Sequence, residues 1–127
     1  MSVESTLLKD GLAFEISSRG FSVPVDVQEK LGGENSAPNP HDYLEIALAG
    51  CTAITVQMYA KRKNIPLEYS NVKVKITSEG QTNEILREIC FVGELSQEQK
   101  NSLLAIAEKC PVHKFLAAGT KILTRMI

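Results

Sequence analysis

The residues able to do covalent chemistry in this sequence are three cysteines, at 51, 90 and 110. A thiol is useful only where its thiolate is stabilised by a cation, a hydrogen bond or a helix dipole. It can cycle through a sulfenic acid to a disulfide only where a second thiol lies near, with Cα atoms within about 7 Å. Ala49-Gly50 precedes Cys51 and Pro111 follows Cys110. Small residues and helix breaks of this kind let another chain or a substrate approach the backbone closely. Packing is the rival reading for all three, because free cysteine is among the most buried residue types. It is the preferred one for Cys90, which stands between Ile89 and Phe91 in an apolar strand pattern. His41 and His113 are the two histidines. A cysteine–histidine hydrolase would pair Cys51 with one of them and need an oxyanion hole, but no nucleophile-elbow pattern is present. His113, three residues after Cys110, is placed instead to tune that thiol. No C-x-x-C or histidine-rich spacing points to a metal, and no cofactor is expected.

The elements that position these cysteines are legible from periodicity. Residues 7–30 read as β structure, with turns at Asp10-Gly11 and Arg19-Gly20. Phe21, Val23, Val25 and Val27 alternate with polar residues, and Pro24 marks an edge or a bulge. Residues 32–39 form a loop. Asn39 then supplies an N-cap and Pro40 a first helical residue. Leu44, Ala47, Leu48, Cys51, Ile54, Thr55 and Met58 follow at helical spacing, and their neighbours Ile46, Ala49, Ala53 and Val56 are apolar too. A helix apolar on most sides belongs in the centre of a domain or between subunits. It should end near Lys63-Asn64, ahead of Pro66. Strands at 72–78 and 85–94 make an antiparallel hairpin about Gly80–Asn83. Ser96 and Gln99 have capping-box spacing. Leu103, Ile106, Ala107 and Cys110 then share one helix face, Pro111 interrupts or restarts that helix, and 120–127 reads as a final short strand. The order is α+β.

The 127 residues suit one domain, 1–127. A formal charge of −1 gives no reason to expect a nucleic-acid or anionic-membrane partner. No run of about 18 apolar residues suggests a membrane span. Met1–Ser5 lacks the basic and apolar regions of a leader, which makes the cytoplasm the default location. An odd number of cysteines in that setting argues against a structural disulfide framework.

The stretch Asn39-Pro40-His41-Asp42-Tyr43-Leu44, continuing through Ala47-Leu48-Ala49-Gly50-Cys51-Thr52-Ala53, resembles the first cysteine motif of the OsmC/Ohr family. These are the osmotically inducible and organic hydroperoxide resistance proteins. Ala107-Glu108-Lys109-Cys110-Pro111-Val112-His113-Lys114, with Phe115-Leu116, resembles the second motif, and Leu31-Gly32-Gly33 also fits. The resemblance spans roughly residues 8–127. It implies an OsmC-like α+β fold, with antiparallel sheets around a long central helix, and an intertwined homodimer whose active sites lie at the interface. It further implies a thiol peroxidase. Cys51 would attack an organic hydroperoxide, Cys110 would resolve the sulfenic acid to a disulfide, and an external dithiol would reduce it.

In the family an arginine holds the reactive thiolate and a glutamate orients that arginine. The glutamate follows the proline of the first motif, and here that position is His41. Ten residues of unbroken helix rise about 15 Å, so His41 would meet a Cys51 only on a partner chain whose helix runs antiparallel. Lys9, before Asp10-Gly11, stands where the family has its arginine, and Arg19 is the nearest arginine. The candidate site is therefore Cys51 and Cys110 with His41, Lys9 and Arg19. The alternative function is a non-peroxidase relative that binds a small hydrophobic molecule at the dimer interface or senses redox state. The plainest alternative is a structural dimerisation module.

Overall fold

The computed structural model describes residues 2–8 and 11–127. They divide into two compact units, one up to Leu44 and one from Glu45 onward. The class is α+β, with antiparallel sheets and one long helix.

The first unit is a three-stranded sheet, β1 (Glu4–Leu7), β2 (Phe14–Ser18) and β3 (Phe21–Val25), in that spatial order and antiparallel throughout. Leu8 N–H donates to Ala13 O across the β1–β2 connection (3.0 Å). Of the expected Asp10-Gly11 turn, Asp10 lies outside the described residues, while Gly11 has a φ of 125°. The β2–β3 hairpin turns on Arg19 (φ 51°) and Gly20 (φ 86°). Two successive positive φ values are what a two-residue hairpin needs to match strand twist. Pro24, opposite Glu15, lies on the edge strand, where its missing N–H costs no ladder bond. The alternation suggested a strand through Val27, but β3 ends at Val25 because Asp26 turns inward. Its carboxylate accepts the backbone N–H groups of Val27, Glu34 and Ser36 and the Ser36 hydroxyl. This clasp closes the loop that carries the chain to the long helix. Gly33 lies within it, where a Cβ would strike the Val27 carbonyl oxygen.

Helix α1 (Pro40–Arg62) starts as its sequence requires. Asn39 Oδ1 accepts from Asp42 N–H (2.9 Å), and Asp42 Oδ2 accepts from Asn39 N–H (2.8 Å). Two of the N–H groups at the helix start are thereby satisfied. Tyr43, in the first turn, donates its hydroxyl to Pro24 O.

The second unit contains the rest of α1, the hairpin β4 (Leu67–Ser78) and β5 (Glu84–Gly93), and helices α2 (Gln97–Ala107) and α3 (Pro111–Ala118). β4 starts five residues earlier than the alternation suggested. Gly93 makes this possible: it opposes Leu67, and its φ of 149° and close approach to Pro66 O leave no room for a side chain. α1 contributes a buried stripe, Leu48, Thr52, Val56 and Ala60, at intervals of four. Val56 and Ala60 join Leu67, Leu103 and Ala107 in the core, with Ile89, Phe91 and Ile106 partly buried against them. Each large aliphatic side chain removed from water here contributes about 1.5–3 kcal/mol. Both bonds of the Ser96–Gln99 capping box are present at the start of α2.

Three sequence-based expectations are corrected. Cys110 is not on the α2 stripe: α2 ends at Ala107, and Cys110 is the N-cap of α3, with Pro111 restarting the helix. Cys90 is exposed, because the β5 alternation turns Ile89 and Phe91 inward and leaves residue 90 facing out. Residues 120–127 have no regular structure, since they pair with no strand among the described residues.

Candidate functional site

Both site cysteines belong to the second unit. Cys51 lies on α1 one residue before the buried stripe position Thr52, and is half-buried. Its Sγ lies 3.9 Å from Thr55 Oγ1, one turn further along. Cys110 is fully buried at the start of α3. The structure brings the two together, with the Cys51 side chain within hydrogen-bonding reach of the Cys110 thiol. Burial opposes ionisation of Cys110. It is outweighed by hydrogen bonding from the Cys51 side chain and the backbone N–H groups of His113 and Val112, with the Thr52 hydroxyl close by. The thiol is therefore held below the ordinary cysteine value. The N–H groups come from the first turn of α3, where the helix leaves donors without internal partners.

Around this pair stand Arg87 and Glu108, which sequence reasoning did not assign, and His113, which it set beside Cys110. Arg87, on β5, has a side chain only 10% exposed. Its Nη1 donates to Thr52 Oγ1 (3.0 Å) and its Nη2 donates to His113 Nδ1 (3.0 Å). Glu108 Oε1 lies 3.6 Å from Nη2, and Glu108 Oε2 lies 3.2 Å from His113 Nε2. Because a guanidinium cannot accept, His113 accepts at Nδ1 and carries its proton at Nε2, facing Glu108. Thr52 donates to Leu48 O (2.6 Å) while accepting from Arg87. The signal for Arg87 was present in the sequence. It shares strand parity with Ile85, Ile89 and Phe91, so it is a cation on the inward face of β5. Such a charge is retained only with partners.

The other sequence candidates fall elsewhere. Arg19 is exposed at the β2–β3 turn, with its guanidinium 5.5 Å from the centre of the Phe21 ring. His41 is exposed in the first turn of α1. α1 is unbroken from there to Cys51, so the rise of about 15 Å keeps them apart within one chain. Lys9 lies outside the described residues. Among the described residues no group of three or more His, Cys, Asp and Glu side chains could hold a metal ion. Among the described residues no helix is long and apolar enough to cross a membrane.

A family model described as OsmC-like protein matches residues 33–125, which include both cysteines and all of the Arg87 cluster. The chain belongs to the OsmC-like family. Solved structures agree on the fold. An OsmC like protein from Mycoplasma pneumoniae aligns with a TM-score of 0.72 at 18% identity, over 91% of this chain and 86% of that one. The organic hydroperoxide resistance protein OsmC from Legionella pneumophila gives 0.62 at 19%, over 86% and 90%. An organic hydroperoxide resistance protein from Elizabethkingia anophelis gives 0.61 at 18%, over 85% and 88%. No curated protein matches the chain. Arg87 and Glu108, from β5 and the end of α2, stand one contact further out from the thiols than Thr52 and His113.

Proposed function

We propose that this OsmC-like protein is a cytoplasmic thiol peroxidase that reduces organic hydroperoxides with Cys51 and Cys110. The observation that carries the reading is the pairing of a half-buried thiol with a buried one held toward its thiolate form. Cys51 Sγ attacks the terminal oxygen of the hydroperoxide and the O–O bond breaks. The thiol proton goes to the departing alkoxide, which leaves as the alcohol. Cys51 is now a sulfenic acid, oxidised by two electrons. The Cys110 thiolate attacks Cys51 Sγ, the S–O bond breaks, hydroxide leaves and takes a proton as water, and a disulfide joins the two residues. An external dithiol restores both thiols by exchange and is itself oxidised to a disulfide. The names of the Legionella and Elizabethkingia structures support this substrate class, and the family match supports a homodimer as the working form.

A second reading is binding of a small hydrophobic molecule beside the thiols. The exposed apolar residues Ile54 and Met58 on α1 favour it. One measurement separates the two. The reduced protein is mixed with one equivalent of an organic hydroperoxide, its intact mass is taken, and its peptides are mapped. A loss of about two mass units with a Cys51–Cys110 link is the expected result. An unchanged mass, with both thiols still open to alkylation, would sink the peroxidase reading and leave the binding one.

A further inference from the structure

Cys51 and Cys110 are unequal partners. Cys51 Sγ is half-buried and has one hydroxyl, Thr55 Oγ1, at 3.9 Å. Cys110 Sγ is fully buried, faces two backbone N–H groups of α3, and has the Thr52 hydroxyl beside it. The Thr52 oxygen in turn takes a hydrogen bond from Arg87 at 3.0 Å. Arg87 is fixed from its far side by His113 Nδ1 and Glu108 Oε1. We propose that Arg87 is the positioning residue of this dithiol site, acting through Thr52 to make Cys110 Sγ the leaving group when the Cys51–Cys110 disulfide is reduced.

The mechanism rests on the redox pair read above and extends it to the return half of the cycle. A reductant thiolate attacks the sulfur it can reach, Cys51 Sγ. The S–S bond breaks and its electron pair goes to Cys110 Sγ. The sulfur better stabilised as thiolate leaves faster. As the charge arrives, the Thr52 O–H turns from Leu48 O to Cys110 Sγ. A guanidinium N–H held on the Thr52 oxygen makes that hydroxyl a stronger donor. The second thiol of the reductant then attacks the reductant's own sulfur in the mixed disulfide. Cys51 Sγ departs, takes a proton, and the reductant leaves as a disulfide. The groups facing Cys110 during this step are Cys51 and Thr52 from α1, the α3 N–H groups, and, one contact further out, Arg87, His113 and Glu108.

The test uses the full chain in a Cys90→Ser background, which removes the exposed third thiol. Diamide closes the disulfide, so the result does not depend on any hydroperoxide. A brief exposure to β-mercaptoethanol, acid quench and peptide mapping should find the adduct on Cys51 and a free thiol on Cys110. An adduct predominantly on Cys110 would overturn the proposal, and this arm needs no change at Arg87. In Arg87→Met, checked for an intact thermal transition, reduction by the same thiol should slow by roughly threefold to tenfold, the scale of losing one nearby opposite charge. Arg87→Lys should recover part of the rate, because it restores the charge without the planar fork. An unchanged rate in a folded Arg87→Met variant would also overturn it. A correct adduct map in a protein that hydroperoxides fail to oxidise would uphold this inference while removing the peroxidase reading.

Discussion

Thr52 does two jobs with one hydroxyl, donating to Leu48 O and accepting from Arg87. Valine has nearly the same shape but neither function. Thr52→Val should leave a guanidinium N–H buried without its acceptor, at a cost of about 1–3 kcal/mol. Thr52→Ser keeps the hydroxyl and should cost much less, so urea denaturation of the two variants separates the hydrogen bond from the packing. Equal losses would show that the methyl group, not the Arg87 contact, is what matters at this position. The same residues show what the sequence conveyed. Cys51 and Cys110 stood out by type and by their neighbours. Thr52 and Arg87 were legible only as polar residues on apolar faces, one in the stripe Leu48–Thr52–Val56–Ala60 and the other in β5. That pattern says a polar group is buried, but the identity of its partner depends on how β5 is placed against α1. His113 was noted for its distance from Cys110 in sequence, yet its side chain serves Arg87 and Glu108 while its backbone N–H faces the sulfur.

Among the elements, the connection into α1 is set by the Asp26 clasp. The Ser36 hydroxyl is the largest cause of a carboxyl held at about 2 instead of 3.8, followed by the backbone N–H groups of Ser36 and Val27. A group with a depressed folded-state value contributes stability that is present above 3.8 and is lost as the pH falls through about 2. Asp26→Asn should therefore lower stability at neutral pH and flatten the pH dependence between those two values, as read by thermal unfolding at a series of pH values. Parallel acid limbs in the two proteins would place the titrating group elsewhere. Local signals at element ends were the dependable part of the sequence. Asn39-Pro40, Ser96–Gln99 and Arg19-Gly20 each mark a boundary that the structure also has. Cys110 was misread because its spacing continues the Leu103–Ala107 face while Pro111 permits either a break or a restart. The break puts its sulfur against the N–H groups of α3, where the stripe would have made it only a packing residue. Residues 120–127 have a strand-like composition, but a strand needs an edge to pair with.

For the whole molecule, the decisive fact is the uncharged length of α1. From Ile46 to Ala60 the helix carries no Asp, Glu, Lys or Arg. One side of this stretch is buried through Leu48, Thr52, Val56 and Ala60. On the opposite side, Ile54 is 62% exposed and Met58 66% exposed. At 100° per residue these two lie roughly half a turn from the buried stripe, and Ala47 and Gly50 fall on their side. An apolar helix face with small residues at close-approach positions is costly to leave in water and suits a second helix. A second copy of this chain is the occupant that the family membership favours, and it would extend cover to the side of α1 that carries Cys51. Met58→Glu should then convert a dimer to a monomer at micromolar concentration in sedimentation velocity, because the interface would have to bury an unpaired carboxylate. On a monomer the same substitution would be a surface change within about 0.5 kcal/mol. A wild-type protein that sediments as a monomer, with Met58→Glu unfolding at the same temperature, would mean that α1 meets solvent on this face. Ile54→Lys, one turn earlier, should behave like Met58→Glu if a shared helix face is responsible. It should do so whether or not the peroxide chemistry is observed, since this argument depends on the surface of α1 and not on its thiol.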